Sequence, residues 1–237
     1  HNLTFTKMKK LFVPFVLAVI ITACSPTIYK SKSIKERGVP ETITVLPPVS
    51  YVEIIGAKEP YSMDSLSYEL TMLYAQAIRE IDFMPAIIEL EELPYEGALQ
   101  LMDELDGLLS VARNSNGKVP VYVPYPIREL IEEGGQQYGL LIVARGFSRT
   151  MGNLLGDAAI GLGIGIAAAV LTGGAVGVYS APVKANTSFW AFVVDARSGE
   201  LVYCSGRNTH GEPFDYKLGK KQISKLLKKY FYVQEGK

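Results

Sequence analysis

Two cysteines, two histidines and one tryptophan are all that these 237 residues offer of the side chains on which much catalytic and metal chemistry is built. A histidine-rich metal site needs several imidazoles converging on one ion, and this supply cannot build one. The sequence has no Gly-x-Ser-x-Gly elbow, no phosphate-loop Gly-Lys-Ser/Thr, no Cys-x-x-Cys and no His-Glu-x-x-His. Charge of one sign is missing too. With 24 Lys and Arg against 24 Asp and Glu, the chain has no overall field, which argues against a nucleic-acid partner bound through counterion release. The expectation is a non-enzymatic protein without a cofactor.

What is present begins at Met8–Cys24, MKKLFVPFVLAVIITAC. Lys9 and Lys10 form a positive start, and Leu11–Ile21 form an apolar run of 11 residues. That run is too short to span a bilayer and reads as a secretory signal. His1–Lys7 precede the start at Met8 and are set aside. The organisation expected is a signal region over 1–23, a lipidated cysteine and polar tether over 24–41, and one α/β domain over 42–237.

Ile21-Thr22-Ala23-Cys24 resembles the lipobox of bacterial lipoproteins. The resemblance implies cleavage before Cys24, a diacylglyceryl group on its sulfur, fatty acylation, and attachment to a membrane. No acidic residue follows Cys24 until Glu36. The expected location is therefore the periplasmic face of the outer membrane, with the inner membrane as the alternative. Once Cys24 carries lipid, Cys204 has no intramolecular partner and reads as a buried, inert thiol. A nucleophilic Cys204 would need His210.

Along the domain, Thr42–Leu46 is a β-branched run stopped by Pro47-Pro48, and Val49–Ile55 reads as an edge strand. Leu66, Leu70, Leu73, Ala77 and Ile81 recur at helical spacing, predicting a helix from Asp64 or Ser65 to about Asp82. A short strand at Ala86–Leu90 and a helix from Tyr95 to Ala112 follow. Val119–Pro126 reads as extended and precedes a helix over Ile127–Gln137. Gly139–Ser148 begins as a continuous apolar run suited to a central strand. Thr187–Val194 and Leu201–Ser205 flank Asp195-Ala196-Arg197-Ser198-Gly199-Glu200, which has the offsets of a hairpin turn. Tyr216–Tyr232 predicts an amphipathic helix with lysines on one side, a solvated face or a contact for anionic lipid. The fold class expected is α/β (α+β), a mixed sheet flanked by helices, with a glycine-rich apolar insertion between two strands.

Thr42-Ile43-Thr44-Val45-Leu46-Pro47-Pro48, the helix behind it, the Gly139–Ser148 strand, and Val193–Glu200 before a basic helix carry a second resemblance. They are similar to lipoproteins whose periplasmic domain is like the amino-terminal domain of the Tol-system translocation protein. That group includes the curli secretion-channel lipoprotein, and the chain also looks like uncharacterised lipoproteins of Gram-negative bacteria. These relatives are binding or assembly proteins, so the resemblance implies envelope partners or self-association and transfers no catalytic residue.

The insertion, 152–183, contains 26 consecutive uncharged residues from Ala158 to Val183. Gly161, Gly165, Gly173 and Gly177, with Ala169, recur every four residues, the small-xxx-small pattern of closely packed helices. Ile160, Leu162, Ile164 and Ile166 also alternate with Gly161, Gly163, Gly165 and Ala167, as on a strand. A helical hairpin and a β-hairpin of Ala158–Ile166 with Ala175–Val183 both stay open. A single spanning helix does not fit, because the flanking strands are expected in one sheet. Gly163-x-Gly165-x-x-Ala168 matches a dinucleotide fingerprint only as a string, lacking the preceding strand and the later acid.

The leading expectation is a membrane-anchored lipoprotein that binds or assembles envelope partners. The alternatives are a subunit or accessory of an oligomeric outer-membrane export channel using 157–183, and a hydrolase of envelope polymers using carboxylates among Glu89–Asp106.

Overall fold

A computed structural model describes residues 27–32, 40–56, 60–62, 64–89, 95–115, 117, 119–150 and 183–231. Cys24 and the glycine-rich segment with Gly161, Gly163, Gly165, Gly173 and Gly177 lie outside the described residues.

Among the described residues, eight strands form one mixed sheet: β1 (Thr27–Lys30), β2 (Thr42–Val45), β3 (Val49–Ile55), β4 (Pro60–Ser62), β5 (Ala86–Glu89), β6 (Tyr138–Arg149), β7 (Ala185–Asp195) and β8 (Glu200–His210). Four described helices flank it: α1 (Asp64–Arg79), α2 (Tyr95–Ser115), α3 (Tyr125–Glu133) and α4 (Tyr216–Phe231). The mixed sheet flanked by helices is the architecture expected from the sequence.

The long antiparallel ribbon β6–β7–β8 is its centre. Tyr138 to Ser148 pair with Asp195 to Ala185, and Asn186 to Asp195 pair with His210 to Glu200. Pro47-Pro48 interrupts the neighbouring strand without sending it elsewhere. Before the prolines, β2 lies parallel to β6 at Gly139 and Leu140. After them, β3 lies parallel to the same strand from Val143 to Arg149. The prolines cannot donate ladder bonds, so the chain steps over them and resumes. β5 pairs outside β2, and β4 pairs outside β3. The edge position expected for Val49–Ile55 is corrected in part: β3 is paired on both sides over Glu53–Ile55, and with β6 alone over Val49–Val52.

Strand alternation sends side chains into two cores. One face presents Leu140, Ile142, Ala144, Phe189, Ala191 and Val193 to α1 and α4. The other presents Leu141, Val143, Phe192 and Val194 to α2 and α3. Near-continuous apolar runs in β6 and β7 are what two covered faces require. Tyr74 of α1 meets Phe189 edge-on at 5.1 Å, and its hydroxyl donates to the Pro213 carbonyl at 2.6 Å. Tyr203 of β8 donates to the Leu226 carbonyl at 2.9 Å, tying α4 to the sheet.

The segment 24–41 was expected to be a tether throughout, and the structure corrects this. Thr27–Lys30 is a sheet strand, antiparallel to β8 through Thr27–Ser205, Tyr29–Cys204 and Lys30–Tyr203. A register shift between Thr27 and Tyr29 brings successive side chains, Ile28 and Tyr29, against the same core, as a bulge does. Tyr29 is 2% exposed, and burying so large a side chain is worth about 1.5–3 kcal/mol. Polar, basic flanks hid a strand anchored by one buried aromatic.

Candidate interaction surface

The hairpin turn explains most of the polar residues gathered near its end. Asp195 is buried, and its Oδ1 accepts from the backbone N–H of Arg197 at 3.1 Å and from the Gln137 amide at 3.2 Å. Gly199 adopts a φ of +70°, the left-handed conformation that the closing position of the turn requires. Glu200, also buried, accepts a hydrogen bond from the Ser31 hydroxyl. The Tyr29 hydroxyl donates to the Val119 carbonyl at 3.3 Å and accepts from the Val121 N–H at 3.3 Å. These contacts pin β1 and the segment before α3 to the hairpin. They engage the carboxyl groups of Asp195 and Glu200 in structural contacts, and Arg197 contributes its backbone N–H, so the three read as a turn.

Cys204 lies fully inside the sheet, and burial pushes its thiol up to about 12. His210 is on the same strand six residues on, which is roughly 20 Å at the rise of a β-strand. A thiol–imidazole pair cannot form across that distance. The acidic middle is divided. Glu91 and Glu92 lie outside the described residues, Glu89 ends β5, Glu96, Asp103 and Glu104 are in α2, and Asp106 is bound by the Arg145 guanidinium at 2.7 Å. Among the described residues, no three His, Cys, Asp or Glu side chains converge where a metal ion could sit.

A half-open surface lies on the far half of the sheet on its α2 side, away from the turn. Register and alternation arrange it in rows across the strands. Val49, Val143, Trp190 and Gly206 form the first row, Tyr51, Arg145, Ser188 and Asn208 the second, and Glu53, Phe147, Asn186 and His210 the third. Unlike the buried residues nearer the turn, Tyr51, Arg145, Phe147, Ser188 and Trp190 are half-buried, and Asn208 and His210 are exposed. Gly206 exists in its row because the Trp190 indole lies over it: a Cβ there would come within 2.8 Å of Trp190 Cδ1. The Arg149 guanidinium stands 5.8 Å from the Phe147 ring centre, in cation–π range. Tyr51 donates to Glu53 at 3.2 Å.

This platform combines aromatic faces, guanidinium groups and amides, a composition suited to binding another surface. Sequence reading found none of it, since Trp190 and Arg145 look like ordinary members of apolar strands. The available signal was the shift from apolar to mixed residues after Ala144.

The end of the same half-sheet is also where the glycine-rich segment departs and returns. Arg149 N–H donates to the Lys184 carbonyl at 2.9 Å, and Thr150 N–H donates to the Ile55 carbonyl at 3.1 Å. The two ends of the segment meet at one point of one sheet, as the argument against a single membrane crossing requires. Among the described residues, no helix is long and apolar enough to cross a membrane, which says nothing of strands.

No protein-family model matches the sequence, and no curated protein matches it. Among solved structures, the chain is similar to the PelC dodecamer from Paraburkholderia phytofirmans, with 9% identity and a TM-score of 0.35 over 87% of this chain and 92% of that one. It is also similar to lipoprotein GNA1162 from Neisseria meningitidis, with 12% identity and a TM-score of 0.32 over 84% of this chain and 100% of that one. Likeness at this level assigns neither a family nor an activity.

Proposed function

We propose that this chain is a membrane-anchored lipoprotein of the outer membrane, facing the periplasm, that acts without catalysis by binding or assembling with envelope partners. The observation that carries the reading is the half-open platform around Tyr51, Arg145, Phe147 and Trp190. The polar groups nearest to catalytic candidates, Asp195, Glu200 and Asp106, are engaged in structural contacts. The lipobox ending at Cys24 supplies the anchor. Labelled palmitate fed to cells making the full chain should enter the protein and fractionate with membranes. Cys24→Ala should abolish both, and unlabelled wild-type protein in the soluble fraction would refute the anchor.

A second reading is favoured by the pairing of Arg149 with Lys184. A segment that leaves and returns at one point and carries the uncharged run Ala158–Val183 can contribute a hairpin to an oligomeric barrel, the form that unpaired edges in lipid require. The chain would then be a subunit or accessory of an export channel. Loss of membrane permeability on deleting Asp157–Val183, with the domain still folded, would support this reading. Unchanged permeability would remove it.

A further inference from the structure

We propose that the end of the sheet carrying Arg149, Ala185 and His210 faces the lipid bilayer, with the turn Ala196–Gly199 pointing away from it. The inference rests on the lipoprotein reading, and it follows from where β1 sits.

A lipoprotein whose first ordered residue is Thr42 could stand anywhere within reach of 18 flexible residues. Docking β1 removes that freedom. Only Ser25 and Pro26 separate Cys24 from Thr27, so the acylated residue lies within about 10 Å of a fixed point on the sheet. β1 runs antiparallel to β8, and Thr27 is level with Ser205. The chain before Thr27 therefore points toward His210, the end at which β6 finishes and β7 begins. Buried Tyr29 and the Ser31–Glu200 hydrogen bond hold this direction.

The second observation is independent of the anchor. The segment after Arg149, with its uncharged run Ala158–Val183, departs from the same end and returns to it at Lys184. Two apolar attachments, one covalent and one in the chain, thus leave the domain on one side. The described side chains there include Arg149, Lys184, Arg207 and His210, with Glu53 and Glu212 as the acids. Lys184 bonds Glu212 at 2.9 Å while its side chain remains 58% exposed. These groups suit the phosphate-bearing headgroup layer. The turn at the other end of β8 stands roughly 30 Å further out, in reach of partners in the periplasm.

The rival orientation lays α4 on the membrane through Lys217, Lys221 and Lys225, which follow one another at four-residue steps and are exposed. One experiment separates the two. The full lipidated chain is reconstituted in phosphatidylglycerol–phosphatidylethanolamine vesicles containing a headgroup nitroxide. Single cysteines for a fluorophore are introduced as His210→Cys, Arg197→Cys and Lys225→Cys. All three positions are exposed, and buried Cys204 stays unlabelled. The expected result is strong quenching from position 210 and none from 197 or 225. Quenching at 197 or 225 equal to that at 210 overturns the orientation. The mass of each sample is measured in parallel. An intact lipid on Cys24 with the wrong quenching pattern rejects the orientation alone, whereas an unmodified Cys24 rejects the lipoprotein reading with it.

Discussion

The backbone N–H of Arg149 and the carbonyl of Lys184, 2.9 Å apart, close the neck of a 34-residue excursion from the central sheet. On the sheet side of that neck β6 and β7 are already paired, with Ser148 opposite Ala185 and Phe147 opposite Asn186. The domain is complete up to the neck.

Replacing residues 152–182 with a short Gly-Ser linker should therefore leave the domain folded. Shortening the connection reduces loop-closure entropy, a gain of about 1–2 kcal/mol. Thermal melting of the soluble domain is expected to stay cooperative with an unchanged or slightly raised Tm. Loss of the cooperative transition would mean that the excursion is part of the core.

Trp190 is the only tryptophan, so its fluorescence reports on the platform without interference. Gly206→Ala places a methyl group where the indole now lies. The displaced ring is expected to shift its emission, and overpacking should cost about 1–3 kcal/mol in urea unfolding. Unchanged emission and stability would show that the indole does not rest on Gly206 in solution.

Tyr74→Phe keeps the ring against Phe189 but leaves the Pro213 carbonyl without its 2.6 Å donor. A loss of about 1–3 kcal/mol is expected for the unsatisfied group, read by chemical denaturation. A neutral result would place the carbonyl in contact with water.

Glu80 gives a dependence on pH. The hydrogen bond from Lys220, 2.7 Å away, is the main cause that holds its carboxyl near 2, below the usual 4.5, with Gln76 assisting. A folded pKa below the unfolded one gives a contribution present above the unfolded value and lost as pH falls from about 4.5 toward 2. NMR titration should find Glu80 depressed in the native chain and returned toward its ordinary value in Lys220→Met. Because both side chains are solvent-exposed, added salt should weaken the shift. An unshifted Glu80 in the native chain would contradict the pair.

How legible all this was depended on what each element is held by. The β6–β8 ribbon and α4 announce themselves through long apolar runs and helical spacing, and Asp195 and Gly199 mark their turn through local chemistry. α3 starts at Tyr125, two residues before the expected Ile127, because Pro126 suits a first helical turn. β1 escaped notice because its order comes from Tyr29 reaching Val119 and Val121, some 90 residues away. No local pattern encodes such a contact. The platform was hidden for a related reason. Tyr51, Arg145 and Trp190 come together only through the register of three strands, and register is a property of the sheet.

The central claim is that an anchored domain assembles with envelope partners, and size in solution tests it most directly. The full lipidated chain would be extracted in mild detergent and its mass compared with that of one chain beginning at Cys24, beside a soluble domain lacking Asp157–Val183. The account predicts a discrete species larger than one chain, composed of copies or of copies with envelope proteins. A ring that collapses to monomer on deletion would assign assembly to the excursion. A monomer in both preparations, with nothing captured from envelope extracts, would contradict the account.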